Sequence, residues 1–221
     1  MYNIRIESTL DGSNTLYVPS LDEHYHSVNG AKQESMHVYI NAGLAECKND
    51  SIKVLEIGFG TGLNTYLTLL YAQQFNKRID YTAIELFPVE YELIAKLNYT
   101  QKDKLPERIL FEKLHTTSWN QKEEITISFS LLKLKYDLTN INFTFNHKFD
   151  VIYFDAFAPD KQPEMWTQDT FDFLYSHTSP DGILTTYCAK GMVRRMLQSS
   201  GYIVERLPGP PGKREILRAK K

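Results

Sequence analysis

The stretch VLEIGFGTGLN, residues 54 to 64, most constrains how this chain folds. An apolar run meets Gly58, Gly60 and Gly62, and an apolar pattern of helical period follows in LNTYLTLLYAQQF. Glycines so spaced let the backbone leave a strand sharply and let a ligand approach the main chain at the positive end of the next helix. The next apolar run, IDYTAIE, closes on Glu85, 25 residues after Gly60. Strand, glycine turn, helix and acid-tipped strand begin a parallel βαβ array. The acid is placed to accept hydrogen bonds from both hydroxyls of a ribose.

The alternation continues along the chain. Pro88 suits the first turn of a helix over VEYELIAKLNY. RILFEKL, ITISFSLLKLKYDL and HKFDVIYFDAF read as further strands, TQDTFDFLYSHT as a helix and GILTTYCA as a strand. MVRRMLQSSG is a short helix ended by glycine, and YIVERLP pairs with REILRAK around Gly-Pro-Pro-Gly. The predicted fold is α/β, with a mixed, mostly parallel sheet and a C-terminal antiparallel hairpin. Upstream, RIESTL and NTLYV flank the turn Asp11-Gly12-Ser13, and MHVYINAGLAEC places Val38, Ile40, Leu44 and Ala45 on one helix face. The expected division is residues 1–45, a small extension packed on the core, and residues 46–221, the main domain.

Two cofactor classes fit the glycine turn. A dinucleotide site normally reads G-x-G-x-x-G, because the pyrophosphate needs the third glycine's close helix packing. Here the spacing is G-x-G-x-G with Glu56 before it. That acid opposes a pyrophosphate and suits the cationic amino-acid end of S-adenosylmethionine, so a methyl donor is the favoured reading and NAD the alternative.

Asp155 ends the run FDVIYF, at the sheet edge where ligands gather in a doubly wound fold. Ala156-Phe157-Ala158-Pro159 follows, offering an aromatic wall in Phe157 and a rigid turn. Methyl transfer to an amine needs that amine neutral and held in line, and a carboxylate can orient its N–H groups and take its proton. The competing role for Asp155 is an N-cap of the helix after Pro163. Asp137, after LLKLKY, either accepts from an adenine amino group or is a turn aspartate.

Other chemistries find little support. The six histidines are scattered, His24-x-His26 has no later partner at ligand spacing, and no metal site is expected. No G-x-S-x-G elbow occurs. Cys47 and Cys188 read as two separate buried thiols. No apolar run of about 18 residues suggests a membrane span, and the start lacks the build of a secretory leader, so a cytoplasmic protein is expected. Net charge is −2, which argues against indiscriminate nucleic-acid binding. From Cys188 onward, however, nine basic residues face two acids, +7, leaving −9 on the rest. Such a segment suits a polyanion on one face, or else is an ordinary solvated surface.

Taken together, ExGxGxG, the ribose acid, DAFAPDKQPEMW and PDGILTTYCAKGMVRRMLQSSGYIVERLPGPPGKREIL resemble the methyltransferase domain of the MnmC family. TLYVPSLDEHYHSVNGAKQESMHVYINAGL is similar to its front end. The resemblance implies a class I, Rossmann-like, S-adenosylmethionine-dependent methyltransferase acting on the aminomethyl group of a tRNA wobble uridine. It implies that Glu56, Gly58, Gly60 and Gly62 form the methionine side of the donor pocket, that Glu85 holds the ribose, and that Asp137 sits at adenine. Asp155 becomes the active-site acid. Lys161, Lys190, Arg194, Lys213 and Arg214 come to lie where the tRNA anticodon region is engaged. Two positions depart from the family pattern: Tyr136 stands where glycine often precedes the adenine-side acid, and Ala156 where glycine often follows Asp155. Some relatives fuse a flavin-dependent oxidase to this domain. At 221 residues the expectation is the methyltransferase alone. A polyamine-synthase-like aminopropyltransferase and a non-catalytic RNA-binding module are the rival readings.

Overall fold

A computed structural model of the chain describes residues 4–101, 104–140 and 142–221. The main sheet contains β4 (Ser51–Ile57), β5 (Arg78–Glu85), β6 (Lys122–Thr126), β7 (Phe129–Lys135), β8 (Phe149–Phe154), β9 (Thr178–Thr186), β10 (Ile203–Pro208) and β11 (Glu215–Lys220). Its order is β10-β11-β9-β8-β4-β5-β7-β6. The central five strands are parallel, β6 and β11 run against them, and the edge strand β10 pairs antiparallel with β11. The chain builds outward from β4 through β5 to β7, then returns to place β8 on the other flank of β4. That reversal opens a crevice beyond the carboxyl ends of β4 and β8, where doubly wound sheets hold their ligands.

The sheet's two faces bury separate apolar layers. Val54, Val151 and Tyr153 point into one; their neighbours Leu55, Ile152 and Phe154 point into the other, as a two-residue side-chain period requires. The first layer holds α2 (Leu63–Gln74) and α4 (Leu105–Thr116). The second holds α5 (Gln168–His177) and α6 (Gly191–Ser200). Residues 63 to 69 of α2 are all buried, which a surface helix does not achieve. The N-terminal segment covers its outer side. That segment forms a three-stranded sheet of β1 (Arg5–Ser8), β2 (Asn14–Val18) and β3 (Glu23–His24), then α1 (Ala31–Ser35) and a π-helical turn, Met36–Asn41. Its Leu16, Val38, Tyr39 and Ile40 share one cluster with Val54 and Leu69.

Four sequence expectations change. RILFEKL is not a strand but part of α4: Pro106 opens the helix, and only Phe111 and Leu114, three residues apart, are buried while Ile109 is 55% exposed. ITISFSLLKLKYDL is two strands, β6 and β7, because it turns at Ile127 and Ser128, with Ile127 93% exposed. Only Tyr91–Ile94 (α3) of VEYELIAKLNY is helical. The helix expected over MHVYINAGLAEC has a π turn continuous with α1, and its Val38, Ile40 and Leu44 are buried.

Candidate active site

The crevice is a cavity of about 1210 Å³ whose walls include Gly58, Gly60, Glu85, Asp137, Asp155 and Phe157. The turn leaving β4 is pressed against the end of β8. The Asp155 N–H donates to the Ile57 carbonyl at 2.9 Å. Gly58 has φ +90°, and a Cβ there would stand 2.5 Å from the Asp155 carbonyl oxygen. No other residue fits this contact. Gly62 serves a different end: it starts α2 at φ +70° with its bare Cα against the His115 imidazole, outside the cavity lining.

Glu85 is fixed by the turn itself. The Gly60 N–H donates to one carboxylate oxygen at 3.1 Å and the Phe87 N–H to the other at 2.9 Å. Burial pushes its pKa up, and these backbone donors pull against the rise.

Asp155 is held at both oxygens. The Tyr39 hydroxyl donates to Oδ1 at 2.5 Å, and the Asn64 amide donates to Oδ2 at 2.8 Å. Burial drives its pKa up to about 7, with the Glu34 charge adding to the rise and the Tyr39 and Asn64 donors opposing it. The N-cap alternative does not hold. Thr167 caps α5, its hydroxyl accepting from the Thr170 N–H, and Gln162 precedes the short Pro163–Met165 turn.

Glu56 lies beneath the cavity rather than in its wall. It is fully buried, accepts from the Thr65 hydroxyl at 2.8 Å, and is pushed by burial up to about 8. At neutral pH it is therefore a protonated acid. Its Oε1 and the Asn64 Oδ1 are both buried without a hydrogen-bond partner. The Tyr81 hydroxyl and the Asn64 side chain both act on the Glu56 carboxyl, and the Asn64 amide in turn holds Asp155.

Asp137 lines the cavity and also makes a local turn, its Oδ1 accepting from the Thr139 N–H and hydroxyl at 3.0 and 2.7 Å. Tyr136 lines the same wall, its ring against Phe143. On the opposite lip, Phe157 meets Tyr25 edge-on at 5.1 Å, and its carbonyl accepts from the Trp166 indole at 2.7 Å. The polar loop after Asp155 is thereby pinned down.

The basic residues separate into two groups. Lys161 and Lys213 line the cavity, paired with Asp22 at 3.6 Å and Glu34 at 3.4 Å. Lys190 pairs with Asp160 at 2.6 Å, away from the cavity wall. Arg206, Arg218 and Lys220 are neutralised by Glu215, Glu46 and Glu205. Arg194, Arg195, Arg214 and Lys221 have no ion-pair partner among the described residues, so the free positive charge is well below +7.

Sequence reasoning did not single out Tyr39 and Asn64, which hold Asp155, or Glu34 and Tyr187, which line its cavity. Asn64 alone carries a local signal, two residues beyond the last glycine. The others come from distant segments.

The profile of a family described as S-adenosyl-L-methionine-dependent methyltransferase matches residues 98–221. Over 95% of its length the chain is 27% identical to a protein of Actinobacillus pleuropneumoniae serotype 5b (strain L20). That protein is the tRNA 5-methylaminomethyl-2-thiouridine biosynthesis bifunctional protein MnmC, and the chain covers 34% of it. It thus spans about a third of the length of the relatives it matches. The solved structure of MNMC2 from Aquifex aeolicus aligns over 99% of this chain and 70% of its own, with a TM-score of 0.82 and 25% identity. Spermidine synthase from Thermotoga maritima aligns over 99% and 72%, with a TM-score of 0.58 and 13% identity, a likeness of fold alone.

Proposed function

The chain belongs to a family of S-adenosyl-L-methionine-dependent methyltransferases, and from that premise we propose that it methylates an amine: the aminomethyl group of 5-aminomethyl(-2-thio)uridine at the tRNA wobble position. The observation that carries this reading is Asp155, gripped at both oxygens, in one cavity with the glycine turn and Glu85. The cavity exceeds the roughly 300–1000 Å³ of an ordinary single-ligand pocket, so it has room for a donor and a nucleoside together.

S-adenosylmethionine, when bound, supplies an electrophilic methyl group. The fit of this chain to it rests on the bare backbone of Gly60, where a Cβ would meet the Tyr25 ring at 3.0 Å, and on the anchored Glu85 carboxylate. In this reading Gly58, Gly60 and Glu85 hold the donor's methionine and ribose parts, and Asp137 with Tyr136 holds the adenine side. Glu56 acts from beneath, through Asn64. Asp155 accepts a proton from the substrate ammonium and leaves the nitrogen lone pair free. With a pKa of about 7 it is near the best value for that exchange at neutral pH. Phe157 offers a stacking face for a base drawn out of the anticodon, as single-stranded RNA recognition favours. Lys161, Lys190, Arg194, Lys213 and Arg214 provide phosphate contacts, in a protein working in the cytoplasm.

One observation favours a second reading. Glu23, Glu34, Glu90, Asp155 and Glu164 all line the cavity, which suits a polyamine, and spermidine synthase shares the fold. Incubation with methyl-labelled donor and tRNA from cells lacking this gene separates the two. Label is expected on the wobble nucleoside. An unlabelled nucleoside alongside aminopropylated polyamines would overturn the tRNA reading.

A further inference from the structure

We infer that Glu34 is a second carboxylate of the site, the one that receives the substrate amine as a cation before Asp155 takes its proton. This rests on the aminomethyl reading above. Glu34 is 7% exposed and lines the same cavity as Asp155. The Ser27 N–H donates to its Oε2 at 2.8 Å, whereas Oε1 accepts no hydrogen bond among the described residues. A buried carboxylate oxygen left in that state calls for a cation.

The cation now beside it is Lys213. Its Nζ lies 3.4 Å from Oε1, longer than the roughly 2.8 Å of a charge-assisted N–H···O bond, and 4.4 Å from the centroid of the Tyr187 ring. A carboxylate and an aromatic face together form a seat for a primary ammonium. Lys213 reaches that seat from the Gly-Pro-Pro-Gly loop, and its side chain is 29% exposed, so it can withdraw to solvent and remain charged.

The seat and Asp155 line one cavity, with Tyr39 bonded to Asp155. The charge of Glu34 acts on Asp155 and on both Tyr39 and Tyr187. Glu34 and Tyr39 are five residues apart on the continuous segment formed by α1 and its π turn. One element therefore presents the recognising carboxylate and the phenol that fixes Asp155. In the proposed sequence the substrate ammonium replaces that of Lys213 at Glu34. One of its protons passes to Asp155, which becomes a neutral acid and later returns the proton to water. Glu34 keeps a hydrogen bond to a remaining N–H throughout.

Equilibrium binding of two tRNAs tests this, one carrying the aminomethyl nucleoside and one with unmodified uridine at the wobble position. The unaltered protein is expected to prefer the amine about tenfold or more, the scale of one charge-assisted hydrogen bond. Glu34→Gln should lose that preference and bind S-adenosylmethionine as before, and Glu34→Asp should recover part of it. A preference that survives in Glu34→Gln would overturn the inference. So would a loss of donor binding together with the preference, which would mark Glu34 as a prop of the fold. An unaltered protein with no preference at all sinks the aminomethyl reading itself, and this inference with it.

Discussion

At Asp155, neighbouring side chains set both where the carboxylate points and how readily it binds a proton. Burial raises its pKa, and the Tyr39 and Asn64 donors restrain the rise. Asp155→Asn keeps the shape and removes the base, so turnover should fall by about 10²–10⁴; donor affinity measured by calorimetry should stay within about twofold. The rate should climb with pH through about 7, where Asp155 loses its proton. Tyr39→Phe deletes a donor that favours the charged form. The rising limb should therefore move to higher pH, and a limb that stays put or moves down would contradict the role given to Tyr39. Glu56→Gln keeps a polar side chain between Thr65 and Asn64, so its turnover should stay within about threefold; Glu56→Ala, which removes it, should lose more in the same assay.

Among the elements, the junction of the β4 turn with the end of β8 matters most. Gly58 is there because the Asp155 carbonyl fills the space a side chain would need. Gly58→Ala combines a left-handed backbone with that clash and should cost about 1–3 kcal/mol or more. It should show as a lowered melting temperature and as weakened donor binding, whereas Gly12→Ala, at φ +81° with open space around it, should show a smaller thermal loss and no change in binding. Two of the misread elements have different causes. RILFEKL contains a short apolar run, Ile109 to Phe111, that imitates a buried strand although Pro106 marks a helix start, and the turn at Ile127 and Ser128 contains no glycine or proline to announce it.

For the whole molecule, the buried ionisable groups make stability depend on pH in a definite way. Asp155 rises from 3.8 to about 7 and Glu56 from 4.5 to about 8 on folding, so the folded state keeps protons that the unfolded chain releases. Stability from these acids is lost as pH rises towards 8. His26 and His115 fall from 6.5 to about 4 and about 3, so they add stability as pH rises to 6.5. The buried Lys133 falls from 10.5 to about 8 and adds stability above that. The opposing groups offset one another below 6.5. The melting temperature should therefore drop between pH 6.5 and 8 and recover beyond it, and Glu56→Gln should flatten the drop. A melting temperature that rises steadily from pH 6.5 to 8 would refute this balance. Charge acts at the same scale. With most C-terminal cations paired internally, tRNA binding should weaken only modestly with salt, and replacing Arg194 and Arg214, the proposed phosphate contacts without an ion pair, should reduce the slope further.

The sequence by itself determined the α/β alternation, the glycine turn, the acid ending β5 and the acid ending β8. Each of these is a local pattern, written in a few consecutive residues whose spacing has a direct backbone meaning. From the same patterns it named Asp155 but left its role divided between cap and site. Tertiary structure removed the cap, because Thr167 takes it, and brought Tyr39 and Asn64, 116 and 91 residues away from Asp155, onto the carboxylate. It also placed Glu56 below the cavity and paired most of the basic segment with acids. Burial and charge pairing depend on which distant segments pack together, and no local spacing encodes that. The +7 visible in the sequence was a sum over residues; three unpaired arginines and Lys221 are what the fold leaves of it.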